Sequence, residues 1–411
     1  MGKAEVSPED RALGERVRII RRRRGLSIET AAGLAGIDKS FLSRLERGER
    51  AFIRRGLLED IAVALSCSVT DLAGQPYVAP DRQSAEVAAA VPALNLALFD
   101  ADLDDVPDIP TRPLPPLVSA AHVANVHADN VEYHRAGAGL GELITELQVV
   151  AATGHGDDQR ESLVALVEAC IVAYGLARTT GHPELAITAA RRGVDAARRV
   201  ERFDLIGLAA MCRSVALMRL GAHRSAGKVA TDTLDELGSA LGPTESDTTA
   251  AEARGMLHLI AAMIEVRGED HGRVDTHLAE ARSIAVHTGE RNHLRFHFGP
   301  ANVAAWELSL KVEAGNGPEA AERYQREPVD LSVFGSRDRE AAVHFDLARA
   351  WAQAEGSRDE AVIRELDTAD RLAPIRVRND PIARDLVLDL HRRAKRRVWE
   401  LDSLRNRLGV A

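Results

Sequence analysis

Lysine, aromatic residues and cysteine are all scarce in this chain of 411 residues. Five lysines stand among 53 Lys and Arg, so nearly all the positive charge is guanidinium, a planar fork suited to carboxylates and phosphates. Aromatics amount to 4% while Ala, Leu, Arg and Glu dominate, a balance that favours helices over sheets. Cys67, Cys170 and Cys212 are odd in number, far apart and set in helical patterns. That argues against a disulfide framework or zinc site and for reduced core residues of a cytoplasmic protein. No apolar stretch long enough to span a bilayer and no secretory leader is read, the start MGKAEVSPEDR being polar. Nucleophile elbow, phosphate loop, paired catalytic carboxylates and zinc signature are all missing, and the 14 histidines are scattered. The expectation is a chain that is not an enzyme, with no catalytic residue, cofactor or metal.

What is present divides unevenly. The length predicts two or three domains. Residues 11–55 hold 13 Lys/Arg against 5 Asp/Glu, a balance of +8 that leaves −17 over the rest of a chain whose net charge is −9. A basic block on an acidic body suggests one module that meets a polyanion and a larger one that does not. Within the block, Leu13, Val17 and Ile20 at i, i+4 and i+7 predict a helix to about Arg24, with Arg21–Arg24 suiting its C-terminal dipole and Gly25 ending it. Ser27 then caps a short helix over about Ile28–Ala35, whose Ala31, Ala32 and Ala35 allow a close crossing. Gly36 supplies the left-handed turn, Asp38 caps the next helix, and Leu42 and Leu45 face inward. A helix, a glycine turn and a helix, the second with Lys39, Ser40, Ser43, Arg44 and Arg47 outward, is the helix-turn-helix unit.

On SFLSRLERGER and LLEDIAVALSCSVTDL, residues 13–73 resemble the lambda-repressor-like (XRE or Cro/C1-type) helix-turn-helix family. The resemblance implies a five-helix DNA-binding domain over residues 1–75. Such domains usually read double-stranded operator DNA as dimers on half-sites about one helical turn apart. It also implies base-facing roles for Lys39, Ser40, Ser43 and Arg44, and phosphate contacts from Ser27, the Ile28 amide and Arg47. The loop residues Arg50, Arg54 and Arg55 would add to these. Glu46 matches an acid that pairs with a first-helix arginine, here Arg21, and is read as structural.

Residues 76–116 are read as a connector: a short helical patch, an acidic run Asp100–Asp105, and a stiff strap with five prolines from Pro107 to Pro116. Beyond it, five helix ends recur at Gly181, Gly221, Gly268, Gly315 and Gly356, each followed by a second helix, at spacings of 40, 47, 47 and 41. Helix, turn and helix at that period predicts an α-solenoid over 117–411, closed by one basic helix over about Asp380–Arg407. The fold class expected is therefore all-α. The repeats resemble tetratricopeptide repeats. The whole arrangement resembles peptide-sensing bacterial regulators and, in LAGQPY, FGPANVAAWELS and FDLARAWAQ, a group of actinobacterial XRE-type regulators.

In RNHLRFHFGPANVAAW, His293 and His297 at i, i+4 would share a helical face, but nothing nearby completes a metal set. Arg295, His297, Asn302 and Trp306 are instead candidate ligand contacts on the concave surface, with Tyr174 and Arg213 on equivalent helices. The function expected is a sequence-specific transcription regulator that is cytoplasmic and nucleoid-associated when on DNA. It would bind as a homodimer under control of a small-molecule or peptide effector. The alternative is an interaction scaffold that recruits a protein and is only localised by its helix-turn-helix.

Overall fold

The computed structural model of the chain describes residues 12–76, 82–241, 248–266 and 271–410, and its regular elements there are all helices. Five form the N-terminal domain: α1 (Leu13–Arg23), α2 (Ile28–Leu34), α3 (Lys39–Glu46), α4 (Arg55–Ala64) and α5 (Val69–Ala73). Ser27 Oγ accepts the Thr30 amide at 3.0 Å and an Asp38 carboxylate oxygen accepts the Ser40 amide at 2.7 Å, so both caps sit where the sequence places them. Leu13, Val17, Ala31, Ala32, Leu42, Leu45, Phe52, Ile61 and Leu72 close one core. At the α1–α3 crossing a side chain on Gly14 would overlap the Leu45 carbonyl, so only glycine lets the two helices lie so close.

The remaining chain forms one helical body. It opens with α6 (Arg82–Ala89), α7 (Val91–Phe99), α8 (Leu114–Asp129), α9 (Tyr133–Ala136) and α10 (Leu140–Thr153). Helix pairs follow: α11 (Gly156–Thr180) with α12 (Pro183–Arg199), α13 (Phe203–Arg219) with α14 (His223–Leu241), and α15 (Thr248–Glu265) with α16 (His271–Thr288). Next come α17 (Pro300–Glu313) with α18 (Gly317–Arg326) and α19 (Arg337–Ala352) with α20 (Asp359–Leu372). The chain closes with α21 (Pro374–Arg378), α22 (Pro381–Arg393) and α23 (Trp399–Leu408). The odd-numbered helices α11, α13, α15, α17 and α19 make the inner row. Gly181, Gly221, Gly315 and Gly356 all turn with φ between 79° and 94°. Gly268 lies outside the described residues.

Three expectations change. The segment read as connector is largely part of the body: Val87, Val91, Leu94 and Leu98 share a core with Leu117, Leu143 and Ile144, and Gln148 Nε2 donates to the Ala97 carbonyl at 2.9 Å. An apolar stripe at i, i+3 and i+7 on α7 has to be covered, and α10 covers it. The strap is non-helical from 106 to 113, but Pro115 and Pro116, expected to belong to it, sit in the first turn of α8, where proline is tolerated. The basic C-terminal segment is two helices, because Leu401, Leu404 and Leu408 reach the core only if the chain reverses after Ala394. Finally, α11 is long and apolar enough to cross a bilayer by length and composition, with 67% of its most apolar stretch buried inside the protein. Cys170 and Cys212 are buried and free, and Cys67 is free and half-buried.

Candidate nucleic-acid interface and interior cavity

The outer face of α3 is set by what its inner face must do. Leu42 and Leu45 are fully buried, which turns Lys39 and Ser40 to solvent and leaves Ser43 and Arg44 half-buried at the rim. Lys39 Nζ lies 3.3 Å from Glu29, and Arg47 Nε pairs with Glu49 at 2.6 Å while its other arm donates to Ser43. Arg44 lies 5.9 Å from the Phe41 ring. These contacts stay within the domain, so the donors expected to face bases share one accessible surface. Ser27 is exposed at the start of α2 and Ile28 is half-buried there.

Arg21 and Glu46 form the expected pair: Nε to Oε1 at 2.5 Å and Nη2 to Oε2 at 2.8 Å, with Nη1 donating to the Leu26 carbonyl at 2.8 Å. The bond to Glu46 raises the Arg21 pKa against the opposing effect of burial. Of the four consecutive arginines, Arg21 alone is buried and Arg22–Arg24 are exposed.

The loop arginines divide differently from the expectation. Arg55 is not at the α3 face: Nη2 donates to Asp380 at 2.6 Å and the guanidinium lies 5.8 Å from the Phe345 ring. Arg50 pairs with Glu355 at 2.6 Å. Both acids belong to the body, and their electrostatic pull draws these two side chains away from the surface assigned to phosphate. Arg54 is half-buried and makes no ion pair among the described residues.

The same loop is the joint between the two parts of the protein. Arg54 starts α4 without a side-chain cap, leaving the first amides of the helix open. Glu313 on α17 supplies the cap, accepting the Arg55 and Gly56 amides at 3.3 Å each. Phe52 N–H donates to Asp385 at 2.7 Å, and Arg349 Nε donates to the Ile53 carbonyl at 2.8 Å. Arg349 is 1% exposed and holds both Glu313 and Asp346. Glu313 stays acidic despite its burial because Arg349 opposes the cost. Asp385 makes no ion pair among the described residues, and burial, against the Phe52 amide and Arg392, pushes it up to about 7. Gln75 Nε2 donates to the Asn379 carbonyl at 2.6 Å, and Glu59 lies 3.1 Å from His223.

Behind this joint the inner row encloses a cavity of about 330 Å³. Five of the six candidate ligand residues line it: Tyr174, Arg295, His297, Asn302 and Trp306. Arg213 does not. It lies on the other side of α13 near Arg191 and Arg198. The helix expected under His293 and His297 is a loop, with Arg295 and His297 at φ of 59° and 54° and α17 beginning only at Pro300. The two rings therefore diverge: His293 meets Glu252 at 2.9 Å, whereas His297 is buried edge-on to Phe334. Burial holds His297 neutral, with its pKa drawn down to about 4. No cluster of three metal-ligating side chains occurs among the described residues. Asn302 donates to the Phe296 carbonyl at 3.1 Å, and its Oδ1 is buried without a partner, as is His297 Nδ1.

The other wall of the cavity was not anticipated. Met211, Met218, Met256 and Met263 all line it, which is every methionine but the first. They stand seven apart on α13 and again on α15, a spacing visible in the sequence that marks one face of each helix.

Two comparisons bear on these features. A search of curated protein sequences gives no match. Residues 12–73, the span of α1 to α5, match the family model of a helix-turn-helix domain, so the N-terminal domain is a helix-turn-helix domain and DNA is the partner its outward donors suit.

Proposed function

We propose that the chain is a sequence-specific transcription regulator in which α3 enters the major groove of an operator. The observation carrying the reading is the placement of Lys39, Ser40, Ser43 and Arg44 on one accessible face, over a leucine-anchored inner face, within a matched helix-turn-helix domain. Arg44 and Lys39 are donors for base edges, while Arg47, Ser27, the Ile28 amide and Arg54 serve phosphates. In the free protein Arg47 is occupied by Glu49, an exposed pair that a phosphate can displace at little cost.

The finer parts of the proposal follow from the family resemblance and the cavity. The domain is of the XRE type, the body is a tetratricopeptide-like sensor, and two copies read two half-sites from the cytoplasm. The protein is not an enzyme, and an effector in the cavity of the body controls binding. Control then resides in the effector's differential affinity for DNA-competent and incompetent arrangements.

The test is selection of a duplex from random sequence with the full chain, followed by titration of two variants. Arg44→Ala should lose about 1–3 kcal/mol on the selected duplex and relax its base preference, whereas Arg54→Ala should weaken all sequences about equally. Wild-type affinity and preference in Arg44→Ala refute the assignment of α3. A complex of one chain per duplex by light scattering refutes the dimer.

A further inference from the structure

The cavity carries an imbalance of charge. Arg376 lies against Asp338, Arg295 against Asp129, Arg55 against Asp380 and Arg349 against Glu313. Arg178 and Arg219 line the same space and form no ion pair among the described residues; the acids that act on them, Asp338 on Arg178 and Asp380 on Arg219, are already held by Arg376 and Arg55. Arg178 has its Nε buried without a partner and lies 5.9 Å from the Tyr174 ring. Arg219 is half-buried close to Arg55 and Arg178, and burial together with those two cations outweighs Asp380 and pulls its pKa down to about 9. Two half-buried guanidinium groups that share their acids with other arginines leave the cavity with surplus positive charge, which suits an anion. Four methionines, with Ile260 and Val215, give the same cavity an apolar wall whose unbranched thioethers adapt to the shape of what they cover. The orphaned Asn302 Oδ1 stands on that wall beside Met256 and offers a lone acceptor to a hydroxyl or amide.

We propose that this cavity binds a small organic anion, with an oxyanion head between Arg178 and Arg219 and an apolar body against the methionines. The inference deepens the effector reading of the same cavity. A volume of about 330 Å³ is at the lower end for ligand sites, which suits a compact molecule. Arg55 belongs to the DNA-reading domain and lies on the wall of this cavity. An anion at Arg178 and Arg219 therefore removes a repulsion acting on Arg55 and tightens the joint.

The experiment is calorimetric titration of the full chain, without DNA, with decanoate, 1-naphthaleneacetate and octyl phosphate. Decanol, 1-naphthalenemethanol and inorganic phosphate are the controls. At least one of the three anions is expected to bind saturably, and at least tenfold more tightly than its neutral counterpart and than inorganic phosphate. The carboxylate and phosphate arms show which oxyanion fits. Arg178→Met and Arg219→Met should each weaken that binding at least tenfold, and Arg213→Met, outside the cavity, should leave it unchanged. Should either cavity variant fail to fold, Met256→Glu, which sets a carboxylate in the cavity lining, should likewise lose the anion while Arg213→Met retains it. No saturable binding of any of the three at about 1 mM, equal binding of the alcohols, or unchanged affinity in both arginine variants overturns the proposal. Because no DNA is present, such a failure is distinct from failure of the operator reading, which the Arg44→Ala titration tests alone.

Discussion

Replacing Arg349 by methionine should undock the DNA-reading domain without unfolding the body. The side chain is 1% exposed and satisfies three groups at once: Glu313, Asp346 and the Ile53 carbonyl. Methionine keeps the volume but leaves Glu313 buried with only amide donors and the more distant Arg55. Breaking a buried ion pair on one side costs about 3–5 kcal/mol, and an orphaned buried carbonyl about 1–3 kcal/mol. The two overlap here, because a single separation of the domains rehydrates both, so about 3–5 kcal/mol is the relevant figure. At about 1.4 kcal/mol per factor of ten, exchange of the Phe52, Arg55 and Gly56 amides should accelerate by roughly 10²–10⁴, up to the limit where the joint is fully open. Hydrogen exchange read by mass spectrometry on peptides covering 51–57 and, as reference, 163–177 of α11 measures this. Adding Glu313→Gln removes the stranded carboxylate and should restore most of the protection. If the variant folds and residues 51–57 exchange at the wild-type rate, the polar network does not hold the domain in place, and the reasoning fails.

Two further outcomes follow from individual contacts. Gly14→Ala puts a methyl group into the Leu45 carbonyl, forcing α1 and α3 apart; overpacking of this kind costs about 1–3 kcal/mol. A urea titration followed by exchange in α1 and α3 should show that loss, and unchanged stability would contradict the close crossing. The second concerns pH. With its folded pKa raised to about 7 from an ordinary value near 4, Asp385 holds more protons in the docked state than when solvated. Its contribution to docking is therefore complete below about pH 4, declines as pH rises through the window to about 7, and is flat above it. Protection of the Phe52 amide should fall across that window in the wild type by more than in Asp385→Asn, whose amide oxygen still accepts the bond. Identical pH profiles would refute the assignment.

The N-terminal domain is legible in the sequence because its signals are local. Ser27 and Asp38 are bonded within three residues, and Leu42 and Leu45 declare a face by spacing alone. The Arg21–Glu46 pair needed the family resemblance, being 25 residues apart. The misassigned residues depend on distant partners. Arg50 and Arg55 have the look of phosphate contacts, a basic loop beside a basic helix. What turns them inward is Glu355 and Asp380, more than 300 residues along the chain. His293 and His297 have helical spacing, yet their loop is set by two positive φ angles that residue type does not announce. Likewise α6 and α7 are recognisable as a helical patch, but where they pack depends on α10. Of the five candidate side chains on the cavity, Tyr174, Asn302 and Trp306 reach it from inner-row helices, as their spacing suggests, while Arg295 and His297 reach it from the loop. The methionine wall was available by the same argument and needed only the repeat of a seven-residue spacing on two helices.

The two faces of the N-terminal domain are separated by very little chain. Arg47 at the end of α3 and Arg55 at the start of α4 are eight positions apart, one exposed to solvent and the other turned toward the body. Between them Phe52 is buried in the same core as Leu42 and Leu45, so α4 cannot shift at its first turn without carrying α3. The joint has a large polar part: Ala51 and Ile53 are the loop's apolar contribution to the core of the body, and Asp385, Glu313, Arg349 and Asp380 hold the loop, with Arg50–Glu355, Gln75–Asn379 and Glu59–His223 beside it. An interface held by desolvated charges responds steeply to one charge added or removed, whereas an apolar one of equal area does not. On the proposal above, a charged ligand beside Arg55 would act where a small electrostatic change can be passed through Phe52 to α3.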